Sequence, residues 1–381
     1  MILFLSILCL FYFLALIWVL TGMNKLGDKK IPRGQGRTQF SIIIPFRNEA
    51  GRLPALLSSL KGLEYPLTHF EVLFVDDESE DSSRQVIEEA LENKDLSQLD
   101  ALFDFRILRN RRLSNSPKKD AISLAVQHAR HDWILTTDAD CILPGTWLKQ
   151  LDSFIETAQP KMVCAPVIYS GSQGLVQNFQ FLDGLSLQAV TMGSFGWRQP
   201  LLSNGANMAY RKSTFLEVHG YAGNDHIASG DDIFLLEKVQ NAFPEDLYYL
   251  NGIEAAVYTQ PENTWKEVIN QRVRWASKTS KQKRWGPKIL GVVVLLGNLA
   301  FLIALYGLIV NLSEHRAYIA FLLQKLVMDL VVVTFAASYL KQPIPVAGYF
   351  INAFIYPFLT LWVVIRSLFG SYLWKGRKFR K

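Results

Sequence analysis

The sequence predicts an α/β fold of the nucleotide-binding kind, carried between apolar segments long enough to span a membrane. Three observations predict it. Short apolar runs rich in β-branched residues alternate with stretches of helical spacing. The apolar runs end in carboxylates, where open α/β sheets bind ligands. Long uncharged stretches stand before and after this alternation.

The chain has 381 residues, enough for one large domain with additions. Half of the residues are hydrophobic, which suits a core plus membrane segments. The net charge of +6 does not call for nucleic acid, because the basic residues cluster beside the apolar segments. They include Lys25, Lys29, Lys30, Arg33 and Arg37, then Lys278, Lys281, Lys283, Arg284 and Lys288, and finally Lys375, Arg377, Lys378, Arg380 and Lys381. Basic residues that flank spans are expected on the cytoplasmic side.

Residues 2–20 are uncharged and almost wholly apolar. Basic residues follow this segment and no small-residue cleavage site is evident, so it is expected to be an uncleaved anchor with its N-terminus outside. Three further apolar stretches cover about 289–312, 317–340 and 344–369. The middle one carries Lys325 and Asp329, an i,i+4 pair expected to serve packing rather than transport. Four full spans would put the C-terminus outside, whereas the basic tail Trp374-Lys375-Gly376-Arg377-Lys378 argues for inside. Cys9, Cys141 and Cys164 have no metal or redox spacing and are expected to be reduced thiols.

The elements follow in order. Residues 21–38 are polar and read as a linker. Phe40-Ser41-Ile42-Ile43-Ile44-Pro45 is a buried strand. Leu53, Leu56, Leu57 and Leu60 recur at helical spacing. Glu71-Val72-Leu73-Phe74-Val75 is a second strand, ending in Asp76 and Asp77, and a helix follows over 82–91. Phe105-Arg106-Ile107-Leu108 is a third strand, followed by a solvated basic loop with Arg109, Arg111 and Arg112. A helix over 121–129 leads to the strand Trp133-Ile134-Leu135-Thr136, which ends in Asp138 and Asp140. If the chain stays extended there, both acids share a face and can approach one cation. Further on, 162–168 reads as a strand and 177–191 as a helix. A helix begins at Gly230-Asp231-Asp232, 256–258 reads as a last strand, and 265–278 is helical with Gln271-Arg272-Val273-Arg274-Trp275. Neither G-x-G-x-x-G after the first strand nor a P-loop is present, which argues against a dinucleotide fold or an ATPase.

Paired acids at two strand ends and one helix start, with a basic and aromatic cluster near the membrane, suit a diphosphate ligand. A hard cation such as Mg²⁺ or Mn²⁺ prefers carboxylate and phosphate oxygens. A carboxylate can serve as base for an acceptor hydroxyl, and cationic groups can hold the leaving diphosphate.

In this set the chain resembles the membrane-bound family 2 glycosyltransferases, with a GT-A fold. The match lies in Ile44-Pro45-Phe46-Arg47-Asn48-Glu49, Val75-Asp76-Asp77-Glu78-Ser79-Glu80-Asp81, Lys118 with Ala121, and Thr137-Asp138-Ala139-Asp140. It continues through Asn204-Gly205-Ala206-Asn207, Gly230-Asp231-Asp232-Ile233-Phe234-Leu235 and the Q-x-x-R-W set. These motifs cover about 39–285 in family-like order. They are known from cellulose, chitin and hyaluronan synthases and from ceramide glucosyltransferase.

The resemblance implies a GT-A domain over 39–285 with a mixed, mainly parallel sheet. Around it would stand an N-terminal anchor over 1–22, a membrane region over 286–370 and a basic tail over 371–381. It implies that Asp76 contacts the nucleobase and ribose, with Pro45, Arg47 and Glu49 lining that pocket and Asp77 beside it. Asp138 would meet the donor, and Asp140 the metal, Mg²⁺ or Mn²⁺. Asp232 would be the general base, with Asp231 supporting it, although the family usually carries Glu at that position. Asn207 would lie by the acceptor. Gln271, Arg274 and Trp275 would hold the diphosphate and frame the acceptor channel. Lys118 reads equally as a diphosphate contact or a solvated charge.

The function expected is inverting transfer from a nucleotide-sugar donor, UDP-linked, to a lipid or glycan acceptor at the cytosolic face of the plasma or inner membrane. A processive polysaccharide synthase subunit is the alternative within the class. A transporter or scaffold with a non-catalytic nucleotide-sugar-binding domain is the alternative outside it.

Overall fold

The computed structural model describes residues 2–27, 34–92, 103–171, 174–310, 312–369, 372–374 and 377–379. The chain divides into two compact units, 28–170 with 203–260, and 1–27 with 171–202 and 261–381.

The first of these is a sheet unit. Its main sheet is formed by β1 (Phe40–Phe46), β2 (Phe70–Asp76), β3 (Asp104–Arg109), β4 (Trp133–Thr136), β6 (Met162–Cys164), β8 (Met208–Arg211) and β9 (Leu247–Tyr249). The spatial order is β3-β2-β1-β4-β8-β6-β9. β8 alone runs against its neighbours, β4 and β6, and the other pairings are parallel. The apolar runs of the inner strands β1, β2 and β4 are buried on both faces, as a sheet covered by helices requires: Ile42, Ile43, Val72, Leu73, Ile134 and Leu135 are fully buried. A small second sheet joins β5 (Cys141–Ile142), β10 (Val257–Thr259) and β7 (Val167–Tyr169).

Helices α2 (Leu53–Lys61), α3 (Ser83–Glu92), α4 (Pro117–His128), α5 (Trp147–Ala158), α7 (Lys212–Glu217) and α8 (Asp231–Ala242) complete the unit. The leucines at 53, 56, 57 and 60 all lie on the buried face of α2. α4 starts at Pro117, at the position where a missing N–H costs nothing.

The order in the sheet places the site. Passing from β1 to β2 and β3 the chain moves one way, and β4 is added on the other side of β1. Ligands of open α/β sheets bind where the strand order reverses, beyond the carboxyl ends of the strands. Here that crevice lies between the segments that leave β1 at Phe46 and β4 at Thr136.

Two sequence expectations change in this unit. The run over 162–168 is not one strand: it breaks at Ala165-Pro166 into β6 and β7, which belong to different sheets. Proline lacks the N–H that an interior strand position donates. The small, polar segment ending in Tyr210-Arg211 carries a sheet strand, β8, which its sequence does not announce.

The helical unit contains α1 (Ile2–Leu26), α6 (Leu175–Gly196), α9 (Trp265–Thr279), α10 (Trp285–Val310), α11 (His315–Tyr339) and α12 (Val346–Phe369). A short hairpin follows, β11 (Tyr372–Trp374) with β12 (Arg377–Phe379). Among the described residues, four helices, α1, α10, α11 and α12, are long and apolar enough to cross a membrane. Their outward faces keep large apolar side chains such as Leu3, Ile309 and Phe369 exposed, which suits lipid.

The segment after residue 20, expected as linker, continues α1 to Leu26. α1 packs closely on α6: a Cβ added at Gly193 would stand 2.5 Å from the carbonyl oxygen of Val19. Lys325 and Asp329 form the expected i,i+4 pair at 2.6 Å, and the hydroxyl of Tyr12 donates to the same carboxylate at 2.6 Å. Of the basic clusters, Lys29, Lys30, Arg33, Lys375, Arg380 and Lys381 lie outside the described residues.

Candidate active site

At the mouth of the crevice, one ammonium joins two distant acids. Lys118, in the first turn of α4, places Nζ 2.7 Å from Asp138 Oδ1 and 3.0 Å from Asp231 Oδ2. Its side chain is only 18% exposed, so it is a bridge and not a solvated charge. Burial alone would favour the neutral amine. The two carboxylates outweigh that and raise its pKa, so Lys118 is charged at any working pH.

Gly205 makes this approach possible. A Cβ there would lie 2.6 Å from Asp231 Oδ2. Thr136 Oγ1 holds the same loop by donating to the Gly205 carbonyl at 2.7 Å. Asp231 and Asp232 occupy the first turn of α8, where the helix dipole favours negative charge. Gly230 precedes them with φ of 86°, a conformation that suits glycine.

The chain does not stay extended after β4. Asp138 is followed by a turn closed by Cys141 N–H donating to the Asp138 carbonyl at 3.2 Å. The two acids therefore go to different cations. Asp138 faces Lys118, and Asp140 Oδ2 lies 3.5 Å from Arg52 Nη1, whose guanidinium also lies 3.9 Å from Glu49. Cys141 is buried, and burial together with the neighbouring Asp140 and Asp138 pushes its thiol up, which leaves it an inert packing group.

The ends of β1 and β2 are tied to one another. Arg47 donates to the carbonyl of Asp77 at 2.9 Å, to that of Glu78, and to Glu80 Oε1 at 2.7 Å. Asp76, half-buried at the end of β2, accepts from Ser79 N–H at 2.8 Å. Asp77 is buried and accepts from Asn110 at 2.8 Å and Arg112 at 3.0 Å. Arg112 pairs with Glu78 as well as Asp77, so it is structural and not part of a solvated basic loop. Pro45 is half-buried within β1, and the Glu49 carboxylate is buried beside Arg52. Asp81 acts as a local cap: it accepts from Ser83 N–H at 3.0 Å and from Ala50 N–H at 3.1 Å.

Asn207 is inside the fold. Its amide accepts from Trp147 Nε1 at 3.0 Å and donates to the carbonyls of Pro166 at 2.7 Å and Ala255 at 2.9 Å. It braces the core at this position, where the sequence suggests a ligand contact.

Gln271, Arg274 and Trp275 belong to α9 of the helical unit and are half-buried. α9 begins with a capping box between Thr264 and Glu267. Arg272, between Gln271 and Arg274, is buried. It forms an ion pair with Asp183 of α6 at 2.5 Å, donates to Gln271 Oε1 at 2.7 Å, and stacks on the Trp275 ring at 4.2 Å.

Arg52, Arg112, Arg272 and Asp183 were not singled out from the sequence as site supports. An arginine carries no sign of which distant carboxylate it will meet. Arg272, inside the Q-x-x-R-W set, is the one whose position gave a signal.

Among the described residues, no three His, Cys, Asp or Glu side chains converge on a metal-binding point. Asp140 nevertheless suits a hard cation that arrives with a diphosphate. Mg²⁺ is commonly held by one or two carboxylates, with substrate phosphates and water supplying the rest. The carboxylate of Asp140 is 24% exposed at the crevice, so it can meet such a complex.

A relative from Bacillus subtilis, described as a probable glycosyltransferase, is 23% identical over 240 residues, 62% of this chain and 54% of its own. An undecaprenyl-phosphate 4-deoxy-4-formamido-L-arabinose transferase of Shewanella sediminis is 37% identical over 101 residues, 26% of this chain and 28% of its own. The chain thus spans about half the length of the first of these relatives and less of the second. In structure, a mannosyltransferase of Pyrobaculum calidifontis, solved with GDP-Man and Mn²⁺, has a TM-score of 0.56 at 14% identity. That match covers 97% of this chain and 99% of the other, which shows the GT-A fold. The model of glycosyl transferase family 2 matches residues 41–217, and that of glycosyl transferase family group 2 matches residues 133–371. The second match alone takes in more than half of the sequence, and the chain belongs to the family 2 glycosyltransferases.

Proposed function

We propose that the protein moves a glycosyl group from a UDP-linked sugar to a lipid or glycan acceptor, with inversion, at the cytosolic face of a membrane. The observation that carries this is the Lys118 bridge. It draws Asp138, after β4, and Asp231, the first residue of α8 and the neighbour of Asp232, to one place beside the crevice. The names of the relatives support the acceptor class. One is described as an undecaprenyl-phosphate transferase, and a third, from Staphylococcus aureus, as a poly(ribitol-phosphate) β-N-acetylglucosaminyltransferase.

In this chemistry Asp76 holds the nucleobase and ribose, with Pro45, Arg47 and Glu49 around that pocket. Asp140 would hold Mg²⁺ or Mn²⁺ together with the donor diphosphate, as the mannosyltransferase solved with Mn²⁺ supports. The metal would neutralise charge that develops on the leaving diphosphate. Asp232 accepts the proton of the acceptor hydroxyl as its oxygen bonds to the anomeric carbon. The bond from that carbon to the diphosphate oxygen breaks, and its electron pair leaves with the nucleoside diphosphate. Lys118 keeps Asp138 and Asp231 in register, so that a donor and the base meet in one orientation.

The apolar helices suit a multi-pass anchor, and the basic residues beside them suit a cytosolic sheet unit. Transport has no support in the membrane-type helices, since Lys325, Asp329 and Tyr12 satisfy one another.

The test is a panel of labelled UDP- and GDP-sugars incubated with membranes that contain the full chain. Label from a UDP-sugar is expected in lipid or glycan, and to vanish with Asp232→Asn. Donor binding without any transfer or hydrolysis would overturn the assignment. Protease access to residues 34–260 in sealed vesicles tests the orientation, since cleavage from the outside contradicts a cytosolic sheet unit.

A further inference from the structure

We propose that Lys119 is a positioning residue: a buried ammonium that clamps the loop delivering Asp231 and Asp232 to the site. The proposal rests on the role given above to Asp232.

Lys118 and Lys119 are neighbours in the first turn of α4, yet they face different tasks. Lys118 reaches two carboxylates. Lys119 is 1% exposed and points under the loop between α7 and α8. Its Nζ donates to the carbonyls of Asn224 at 2.7 Å and Ile227 at 2.9 Å. The Phe234 ring of α8 lies 4.7 Å from the same nitrogen, and that of Tyr221 lies 5.9 Å away. One turn earlier, Ser116 Oγ, also buried, donates to the Ala228 carbonyl at 3.2 Å.

The loop needs such support. Over 218–230 it forms turns and bends without a regular ladder. A second lysine, Lys238 of α8, gathers its early carbonyls, among them Gly220 at 2.6 Å and Ala222 at 2.8 Å. Backbone carbonyls without partners are costly when buried. Turns tie part of this backbone to itself, as where Ile227 N–H donates to the Asn224 carbonyl at 3.2 Å, and the ammonium groups add partners from outside the loop. A buried charge is itself expensive, and an apolar side chain of the same length would avoid that cost. The charge is explained by what it holds. Immediately after the clamped residues come Gly230, at φ of 86°, and the two acids. The first turn of α4 thus grips the loop backbone through Ser116 and Lys119 and the Asp231 carboxylate through Lys118.

The test uses the full chain in detergent or nanodiscs, with Lys119→Met and Ser116→Ala beside wild type. Hydrogen exchange over 219–230 is read with and without UDP and Mn²⁺, and transfer is read with the sugar nucleotides of the panel. Lys119→Met is expected to speed exchange of this loop at least about 10-fold, as a released local unit would. It is expected to lower kcat about 30- to 100-fold with the donor KM within about 3-fold, since displacement of a catalytic group costs rate rather than donor binding. Ser116→Ala should shift both readouts in the same direction by less. Unchanged exchange at 219–230 overturns the proposal, and so does a lower melting temperature with unchanged kcat per folded enzyme. If Lys119→Met does not fold, as judged by lost UDP binding, Lys119→Gln and Ser116→Ala carry the same two readouts. Should the wild type transfer no sugar of the panel, the functional assignment fails, while hydrogen exchange still decides whether Lys119 clamps the loop.

Discussion

Two lysines, one in each unit, show how the same pair of residue types can serve different ends. Lys325 of the helical unit meets Asp329 four residues on, along one helix, and Tyr12 closes the remaining side of that carboxylate. The three groups satisfy one another, and lipid-type surroundings give no reason to open them. Lys118 of the sheet unit meets Asp138 and Asp231, which are 93 residues apart in sequence. Asp138 keeps 36% of its side chain exposed, so this network is joined on one side and open on the other. A closed network stabilises packing. An open one, at the mouth of a strand-end crevice, can exchange partners with a ligand.

Four measurements test that contrast. The largest effect is expected at Asp232, next in the chain to the Asp231 of the open network. Asp232→Asn should lower kcat by about 10³-fold, within the range for loss of a general base, while UDP binding by calorimetry is retained. Turnover within a few-fold of wild type would remove Asp232 from the chemistry. Lys118→Met should follow, with a loss of about 10²-fold as the acids lose their common cation. Lys325→Met, in contrast, should leave kcat per folded enzyme near wild type.

The second measurement concerns the closed network itself. Removing one partner of a fully buried pair costs about 3–5 kcal/mol, whereas replacing both by apolar groups is often neutral; with Lys325 5% and Asp329 24% exposed, a smaller cost is expected here. Lys325→Met alone should thus lower the detergent melting temperature clearly, and Lys325→Met with Asp329→Leu should recover most of it. If the double variant is worse than the single one, the pair does more than pack. Third, Asp140→Ala should abolish the difference in UDP affinity between Mn²⁺ and EDTA. A dependence on metal that survives would move the cation to another carboxylate.

The smallest effect is a pH dependence in the sheet, away from the crevice. Burial alone would raise the pKa of Glu71, but hydrogen bonds from Ser41, the Arg130 backbone and Arg106 outweigh it and hold the carboxyl below its ordinary value of about 4.5. A depressed carboxyl stabilises the fold above the unfolded pKa, and that contribution is lost as pH falls through the folded one. Wild type should lose stability in that acid range, and Glu71→Gln should be less stable at neutral pH with a flatter acid limb. Parallel melting curves for the two proteins would show that Glu71 contributes no such linkage.

Much of the fold was legible in order. The runs at Phe40, Glu71, Phe105 and Trp133 all form strands of one sheet; the three inner ones are buried apolar runs that carry their own signal, and β3, at the edge, is half-buried. The four apolar stretches became four helices of membrane-spanning length for a similar reason. Short strands were less visible. β8 and β9 have four and three residues, too few for a periodicity to stand out, and Pro166 split an apolar run between two sheets.

Which groups the site can contain is written locally in the chain. Acids stand where apolar runs stop because a carboxylate cannot continue a buried strand without a partner, and that rule operates locally. Only the tertiary structure decided how the groups are shared. It turned the chain after β4, so Asp138 and Asp140 face Lys118 and Arg52 in place of one common cation. It sent adjacent lysines to a pair of carboxylates and to a loop backbone, and it took Asn207 into the core. The physical reason is range. Strand and helix formation depend on neighbours a few residues away. The partner of a charged side chain depends on contacts between residues about a hundred positions apart, as from Lys119 to Asn224 and Ile227.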